Sequence, residues 1–216
     1  MRRVSVPWMS AYPSSDGADR ARVAPRPAVA SGAHKVRIRA AAAPDADAIR
    51  TIYNYEVLNS TATFDLVPRS LGEQQTWLAN RSGVFSAVVA VVGSSTGPIA
   101  AAPPSRPREE VVGFAALSPY KERAAYRTTV EDSIYVRQDR QGLGVGRALL
   151  TSLLDLSEAS GFHAVMARIE ARGVASRALH EACGFRLVGI EREVGRKFNR
   201  WLDVAVMQCV LAERPR

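Results

Sequence analysis

A glycine-rich segment between a strand and a helix constrains this chain more than any other feature of its sequence. Residues 128–136 are typical of a strand, residues 144–161 carry leucines at helical spacing, and Gly142, Gly144 and Gly146 lie at their junction. Glycines allow backbone amides to converge on one point, and the start of a helix adds unpaired N–H groups and a positive dipole end. The segment therefore predicts a binding site for a pyrophosphate group.

The spacing of these glycines differs from that of two common nucleotide-binding motifs. A P-loop requires a Lys-Ser/Thr pair after its last glycine, whereas Arg147 and Ala148 follow here. A Rossmann turn reads G-x-G-x-x-G near the start of its domain, whereas this turn reads G-x-G-x-G and lies far along the chain. Glu170 stands where a ribose-binding acid would, so a nucleotide-dependent oxidoreductase stays an alternative.

Hydrophobic periodicity predicts strands and helices that alternate along most of the chain. The order β-α-α-β-β-β-α-β-α-β-β indicates a mixed α/β class, with helices that cross over a central sheet. The predicted strands are residues 36–40, 87–92, 111–117, 128–136, 164–170, 186–194 and 204–211. The predicted helices are residues 44–58, 70–81, 144–161 and 174–183, the second opening on the capping box Ser70-Leu71-Gly72-Glu73.

Two segments differ in composition from the predicted domain at residues 36–212. Residues 1–35 are rich in Ala, Arg, Ser and Pro, which fits either an organelle-targeting peptide or a disordered extension. Residues 94–110 are rich in proline and predict a flexible loop inserted between two hairpin strands. The chain of 216 residues, 47% of them hydrophobic, is long enough for one core.

The charge and the cysteines narrow the class of partner. The net charge is +8, of which residues 1–35 contribute +4, from six basic and two acidic residues. A modest basic remainder favours an anionic small ligand over nucleic acid. The two cysteines form no disulfide framework and no metal-ligand spacing, so we expect no metal and a cytoplasmic location, or an organelle if residues 1–35 are a transit peptide. No apolar run is long enough to cross a bilayer, so no membrane partner is expected.

Gln141-x-x-Gly144-x-Gly146 matches the Q/R-x-x-G-x-G/A motif of the GNAT acetyltransferases. Between about residues 36 and 211, apart from the insertion, the chain resembles the phosphinothricin and methionine sulfoximine N-acetyltransferase branch. The matching stretches are Ile52-Tyr53-Asn54, Ser60-Thr61-Ala62-Thr63-Phe64, Pro119-Tyr120-Lys121 through Tyr126, Thr129-Val130-Glu131, Leu179-His180-Glu181, Gly184-Phe185, Val194-Gly195-Arg196-Lys197-Phe198 and Trp201-Leu202-Asp203. The resemblance implies a single mixed central sheet, mostly antiparallel and splayed, of about seven strands flanked by about four helices.

The resemblance also implies an enzyme that transfers acetyl from acetyl-CoA to the amino group of a small amino-acid-like acceptor. Transfer would be direct in a ternary complex, since neither cysteine lies in a nucleophile motif, and the enzyme is expected to be a homodimer. Two alternatives stay open: transfer to another primary amine, such as a protein N-terminus or a polyamine, and a non-catalytic acyl-CoA-binding module.

By the same resemblance, ten residues would hold acetyl-CoA. Backbone amides around the glycine turn would bind the pyrophosphate, and one strand would pair with the pantetheine arm. These residues are Gln141, Gly142, Leu143, Gly144, Val145, Gly146 and Arg147, with Ile134, Tyr135 and Val136 on the strand. The branch usually has Asn where this chain has Gly173, so one hydrogen bond to the arm is expected to be missing.

Glu131 is the predicted general base. The acceptor amine is largely protonated near neutral pH, because even a peptide α-amine has a pKa of roughly 8, and a carboxylate can take its proton directly or through water. Simple alternation sets Asp132 among the apolar residues of the other face, so we expect a β-bulge near residues 131–133.

His180 is the second predicted catalytic residue. It lies four residues before Gly184-Phe185, where many GNAT enzymes have a tyrosine that protonates the departing thiolate. A histidine pKa near 6.5 suits proton transfer in either direction, so donation to sulfur and acceptance from the amine both stay open.

The acceptor is expected to carry acidic groups that need cations near the catalytic strand. Lys121, Arg123 and Tyr126 precede that strand, and a guanidinium can bind a carboxylate through two hydrogen bonds. Phe64, in the segment after the first helix, would supply an apolar wall.

Overall fold

The computed structural model describes residues 36–81, 83–85, 87–93 and 109–214. The predictions for residues 1–35 and for the inserted loop as far as residue 108 lie outside these residues. The described strands are β1 (Arg37–Ala40), β2 (Ala87–Gly93), β3 (Glu109–Pro119), β4 (Thr129–Val136), β5 (Ala164–Glu170), β6 (Arg186–Lys197) and β7 (Arg200–Val210). The described α-helices are α1 (Ala46–Asn59), α2 (Leu71–Ala79), α3 (Val145–Ala159) and α4 (Val174–Ala182).

All seven described strands belong to one sheet, in the order β1-β2-β3-β4-β5-β7-β6. Neighbouring strands are antiparallel except for β4 and β5, which are parallel because α3 crosses over between them. The predicted fold class is therefore confirmed: a mixed, mostly antiparallel sheet with four α-helices in the described part.

Local sequence signals explain where the helices begin. Ser70 and Glu73 form the predicted capping box at α2: the Ser70 hydroxyl accepts from the Glu73 N–H at 3.2 Å, and the Glu73 carboxylate accepts from the Ser70 N–H at 2.7 Å. Helix α3 begins after Gly144, which has a left-handed φ of 80° that glycine adopts without strain. None of the described helices is long and apolar enough to cross a membrane.

The two faces of the sheet carry two separate hydrophobic clusters. Helices α1 and α2 pack on one face, where Tyr53 and Phe114 belong to one cluster. Helix α3 packs on the other, where Leu149 and Leu153 are fully buried. Because successive strand residues point to opposite faces, each residue of β4 can be assigned to one cluster or the other.

Strands β4 and β5 separate soon after they meet. Their pairing is limited to Thr129–Ala164, Val130–Val165 and Glu131–Met166. Strand β5 stays paired with β7 as far as Glu170, and β4 stays paired with β3 as far as Val136. A wedge therefore opens within the sheet beyond Glu131, as the predicted splay requires.

The expected β-bulge near residues 131–133 is wrong. The register between β3 and β4 runs without a shift from Gly113–Val136 to Pro119–Val130. Asp132 does point into the face that α3 and α4 cover, but its carboxylate is bonded there to His180 of α4. The strand therefore buries this acid without an extra residue.

Candidate active site

The glycine turn lies at the open end of the wedge, between β4 and α3. Gly142 and Gly144 have φ values of 74° and 80°, which favour glycine, and a Cβ at either position would meet nothing within 4 Å. Gly146 is tighter, because a Cβ there would lie 3.1 Å from the Leu179 side chain of α4. The first amides of a helix have no intrahelical partner, so the N–H groups of Val145 and its neighbours can bind an anion.

The second half of β4 offers backbone groups to the wedge. Beyond Glu131 this strand has no neighbour on the β5 side, and unpaired backbone groups need a partner. The Gln141 amide donates to the Val136 carbonyl at 3.3 Å, so the predicted Gln141 braces the end of the strand. A ligand chain with amide groups can pair with Ile134 and Tyr135 as an added strand would.

Gly173 lies where β5 leads into α4. A Cβ there would be 3.0 Å from the Glu170 carbonyl oxygen and 3.3 Å from the Ile169 side chain. A side chain at this position would therefore require the Glu170 carbonyl or the Ile169 side chain to move by a few tenths of an ångström.

Glu131 is the last residue of β4 that pairs with β5, so it stands where the wedge begins. It shares a face of the sheet with Tyr135, which stacks on Phe114 at 5.2 Å. Burial raises the pKa of Glu131, and the charge of Arg168 opposes this rise. A carboxylate with a raised pKa is a better proton acceptor, which suits the role of a general base.

Arg168 is a site residue that no motif in the sequence indicated. It lies on β5, two positions beyond Met166, which pairs with Glu131. Its side chain therefore lies on the same face of the sheet as that of Glu131. Its guanidinium reaches across β7 to the Glu191 carboxylate of β6 through two hydrogen bonds, one of 3.0 Å from Nη1 to Oε1. The hydrogen bonds to Glu191 raise the pKa of Arg168 above its usual value, although burial opposes this rise. The charge of Arg168 is therefore permanent.

His180 lies on the opposite face of β4 from Glu131. Its Nε2 is 3.0 Å from Asp132 Oδ2 and its Nδ1 is 2.7 Å from the Ser176 carbonyl oxygen, and 4% of its side chain is exposed. Burial lowers the pKa of His180, but the charge and hydrogen bond of Asp132 outweigh burial and raise it overall. The structure leaves neither ring nitrogen of His180 free for a substrate.

The two hydrogen bonds of His180 determine which of its ring nitrogens carry hydrogen. The Ser176 carbonyl can only accept, so Nδ1 must carry hydrogen. A neutral ring would then turn the lone pair of Nε2 toward the Asp132 carboxylate, 2% of which is exposed. The charge and hydrogen bond of Asp132 therefore favour the form of the ring in which Nε2 also carries hydrogen and donates it to Asp132 Oδ2.

The predicted acceptor residues before β4 form one exposed group. The Lys121 ammonium lies 4.7 Å from the Tyr120 ring and 5.1 Å from the Tyr126 ring, and the two rings meet edge to face at 5.6 Å. Arg123 is also exposed, at the start of the 3₁₀ turn Ala124–Tyr126. Tyr120 lies within electrostatic reach of Arg168, which connects this group to the Glu131 face.

Phe64 belongs to a different part of the site. Its ring covers Gly195 of β6 so closely that a Cβ there would lie 2.1 Å from it. The segment around Phe64 is fixed by the buried Lys197, whose Nζ donates to the Thr63 carbonyl at 2.8 Å. The Tyr53 hydroxyl lies 2.9 Å from the Thr63 hydroxyl, which ties the segment to α1.

The predicted site residues therefore lie in several separate parts of the structure. Glu131 and the unpaired edge of β4 lie at the wedge, whereas Lys121, Arg123 and Tyr126 lie on the exposed segment before β4. Phe64 packs on β6, and His180 is enclosed on the face opposite Glu131. No cluster of three or more His, Cys, Asp or Glu residues in the described part of the chain is placed to hold a metal ion.

Comparison with known proteins defines the class of this fold and site. The model of the acetyltransferase (GNAT) family matches residues 61–185. The chain is 37% identical over 174 residues to an L-methionine sulfoximine/L-methionine sulfone acetyltransferase of Pseudomonas aeruginosa, covering 81% of this chain and 94% of that protein. It is 35% identical to a phosphinothricin N-acetyltransferase of Streptomyces coelicolor, covering 81% and 95%.

A solved structure gives the same result. A GNAT superfamily phosphinothricin acetyltransferase of Sinorhizobium meliloti in complex with acetyl-CoA superposes with a TM-score of 0.71 at 36% identity, covering 81% of this chain and 88% of that one. The chain belongs to the GNAT family of acetyltransferases. The predicted family, fold class and use of acetyl-CoA are confirmed.

Proposed function

We propose that this protein transfers the acetyl group of acetyl-CoA to the amine of a small amino-acid-like acceptor. The observation that carries the proposal is the wedge between β4 and β5, with the glycine turn at its open end and Glu131 where it begins. The methionine sulfoximine and phosphinothricin acetyltransferases that it resembles over four-fifths of its length support this acceptor class.

The residues along the wedge fit acetyl-CoA, which supplies the acetyl group as a thioester. The amides after Gly144 would hold its pyrophosphate, and the unpaired edge of β4 at residues 134–136 would hold its pantetheine arm. The glycine turn leaves open space at Gly142 and Gly144, so side chains do not obstruct the approach of phosphate to the backbone.

Glu131 would take the proton that the acceptor amine must lose before it attacks. Its half-buried position and raised pKa match the task, and the charge of Arg168 keeps its ionised form accessible. His180 would act through Asp132 and Ser176, by holding α4 against β4, because both its ring nitrogens are engaged there.

The acceptor would carry negative charge. Lys121 and Arg123 present two cations at the start of β4, and Tyr120 beside Lys121 lies within electrostatic reach of Arg168. A polyamine would be repelled by these groups, whereas a carboxylate or phosphinate would be attracted.

Acetyl-CoA-dependent thiol release by the full chain tests the proposed function. The acceptors are methionine sulfoximine, phosphinothricin and spermidine, with a reaction lacking acceptor as the blank, and Glu131→Gln as the matched variant. Release with the first two acceptors alone, and much slower in Glu131→Gln, supports the proposal. Release with spermidine alone would move the acceptor class to polyamines, and acetyl-CoA binding without release would favour a non-catalytic binding module.

We also infer a homodimer that uses strand β6. This strand is an edge of the sheet, and Val188 on it is 61% exposed and Trp201 on β7 is 59% exposed. An exposed apolar edge invites pairing with another strand, and a second copy would cover it. Sedimentation should show a dimer that Val188→Asp weakens, while Val67→Asp, at another exposed valine, leaves it unchanged; a monomeric wild type would contradict the inference.

A further inference from the structure

Arg168 stands beside the predicted general base on an accessible surface. Met166 of β5 pairs with Glu131, and Arg168 follows two positions later on the same face of the sheet. Along a strand, residues two apart are separated by about 6.6 Å. The side chains of Arg168 and Glu191 are 37% and 38% exposed, so a solute can reach them. His180, by contrast, is enclosed.

The guanidinium of Arg168 has bonding capacity that Glu191 does not use. Arginine carries five N–H donors, and the two bonds to Glu191 occupy one hydrogen on Nη1 and one on Nη2. The other three hydrogens are available to a second acceptor. A guanidinium binds a carboxylate better than an ammonium does, because its planar fork matches the two oxygens.

The separation fits the two ends of an α-amino acid. The amine and carboxylate of such a molecule, with one hydrogen bond at each end, span about 8 Å. Glu131 and Arg168 share a face of the sheet and lie within electrostatic reach of each other, so a molecule of that length can contact both. An acceptor bound with its carboxylate on Arg168 therefore presents its amine to Glu131.

The surrounding charges favour an acid at this point. Lys121 and Arg123 lie on the segment that contains Tyr120, which is within electrostatic reach of Arg168. Glu191 and Glu131 are the carboxylates that face Arg168 from β6 and β4. Glu191 offsets one charge of Arg168, so an acceptor carboxylate must compete with Glu191 or share the guanidinium with it.

We infer that Arg168 is a specificity-determining residue that binds the α-carboxylate of the acceptor and so places its amine at Glu131. This inference rests on the proposed function and deepens it. Lys121 and Arg123 can then bind the second acidic group of an acceptor that has one. Amines without an adjacent carboxylate lose the contact with Arg168.

The test compares an amino acid with its decarboxylated counterpart. Binding of methionine sulfone and of 3-(methylsulfonyl)propylamine to the full protein saturated with CoA is measured by calorimetry, for wild type, Arg168→Gln and Arg192→Gln. Arg192 is a matched control: it lies next to Glu191 on β6, is exposed and is paired with Asp203. Arg168→Gln removes a charge-assisted hydrogen bond to the carboxylate. It should therefore weaken the binding of methionine sulfone about 10- to 100-fold. The amine and the control variant should change less than about threefold.

Two results would overturn the inference. One is an equal loss for the amino acid and the amine in Arg168→Gln, which indicates a general disturbance of the site. The other is unchanged binding of methionine sulfone. Because binding is read without turnover, either result is distinct from failure of the proposed function, which would appear as absent thiol release in wild type with every acceptor. Where turnover occurs, the same variant should raise KM for methionine sulfone far more than it lowers kcat.

Discussion

Glu131 and Asp132 are adjacent carboxylates on one strand, and the sheet gives them opposite surroundings. Glu131 is half-buried at the wedge, within reach of the Arg168 charge, and burial raises its pKa. Asp132 is enclosed on the other face and bonded to His180. The first is arranged to exchange a proton with a ligand, and the second forms a buried hydrogen bond inside the protein. Neighbours in sequence therefore serve separate tasks because strand side chains alternate between faces.

The largest difference between the two carboxylates is expected in stability. His180→Ala leaves Asp132 buried without its partner, which typically costs about 3–5 kcal/mol of unfolding free energy. Glu131→Gln should change stability by no more than about 0.5 kcal/mol, because its site is half open to solvent. Urea unfolding of both variants measures the contrast. A loss below about 1 kcal/mol in His180→Ala would show that the pair is not what secures α4 to β4.

The packing of Phe64 on β6 supplies the second prediction. Gly195→Ala would place a Cβ 2.1 Å from the Phe64 ring and force that ring to move, at a cost of about 1–3 kcal/mol. Gly189→Ala on the same strand is the control, because a Cβ there meets nothing within 4 Å. Unfolding free energies and the KM for the acceptor should both change in the first variant and not in the second. If the two variants have the same KM for the acceptor, Phe64 does not contribute to acceptor binding.

The pH dependence of activity can be moved in either direction through the charges near Glu131. Arg168 lowers the pKa of Glu131 and Glu191 raises it. Arg168→Gln should therefore move the acid limb of kcat/KM to higher pH, and Glu191→Gln should move it to lower pH. Profiles of the two variants against wild type give the measurement. Shifts in the same direction would assign that limb to another group.

The smallest effect concerns stability against pH on the His180 side. Because the folded-state pKa of His180 is raised, its contribution is fully present below the unfolded value of about 6.5 and is lost as pH rises through the folded pKa. The unfolding free energy of wild type should fall as pH rises from about 6.5 to the folded pKa. In Asp132→Asn this fall should be absent. An identical slope of unfolding free energy against pH in both proteins would show that the His180–Asp132 pair does not cause this dependence.

Most of the fold could be predicted from local patterns in the sequence. The capping box at Ser70 and the continuous apolar run of β2 each fix one element without reference to the rest of the chain. The turn between β6 and β7 was less visible, because Phe198 and Asn199 adopt positive φ values of 48° and 60° where glycine is the usual signal. Both strands consequently extend further toward that turn than the sequence indicated.

The site was predictable in part, and the limit was tertiary contact. The glycine turn could be read from the spacing of its residues, because its function depends on the backbone. The bonds of Asp132 to His180 and of Arg168 to Glu191 join residues 48 and 23 positions apart. They depend on how α4 lies on β4 and on the register of three strands, so a bulge was expected where a buried pair exists.

The ratio of kcat/KM between wild type and Glu131→Gln, measured against pH with methionine sulfoximine, tests the central claim most directly. If Glu131 takes the proton of the acceptor amine, the ratio should be about 10²–10⁴ near neutral pH. It should shrink as pH rises above about 8, where the amine begins to lose its proton unaided. A ratio near one at neutral pH, or a large ratio that does not change with pH, would contradict the role of Glu131 as general base.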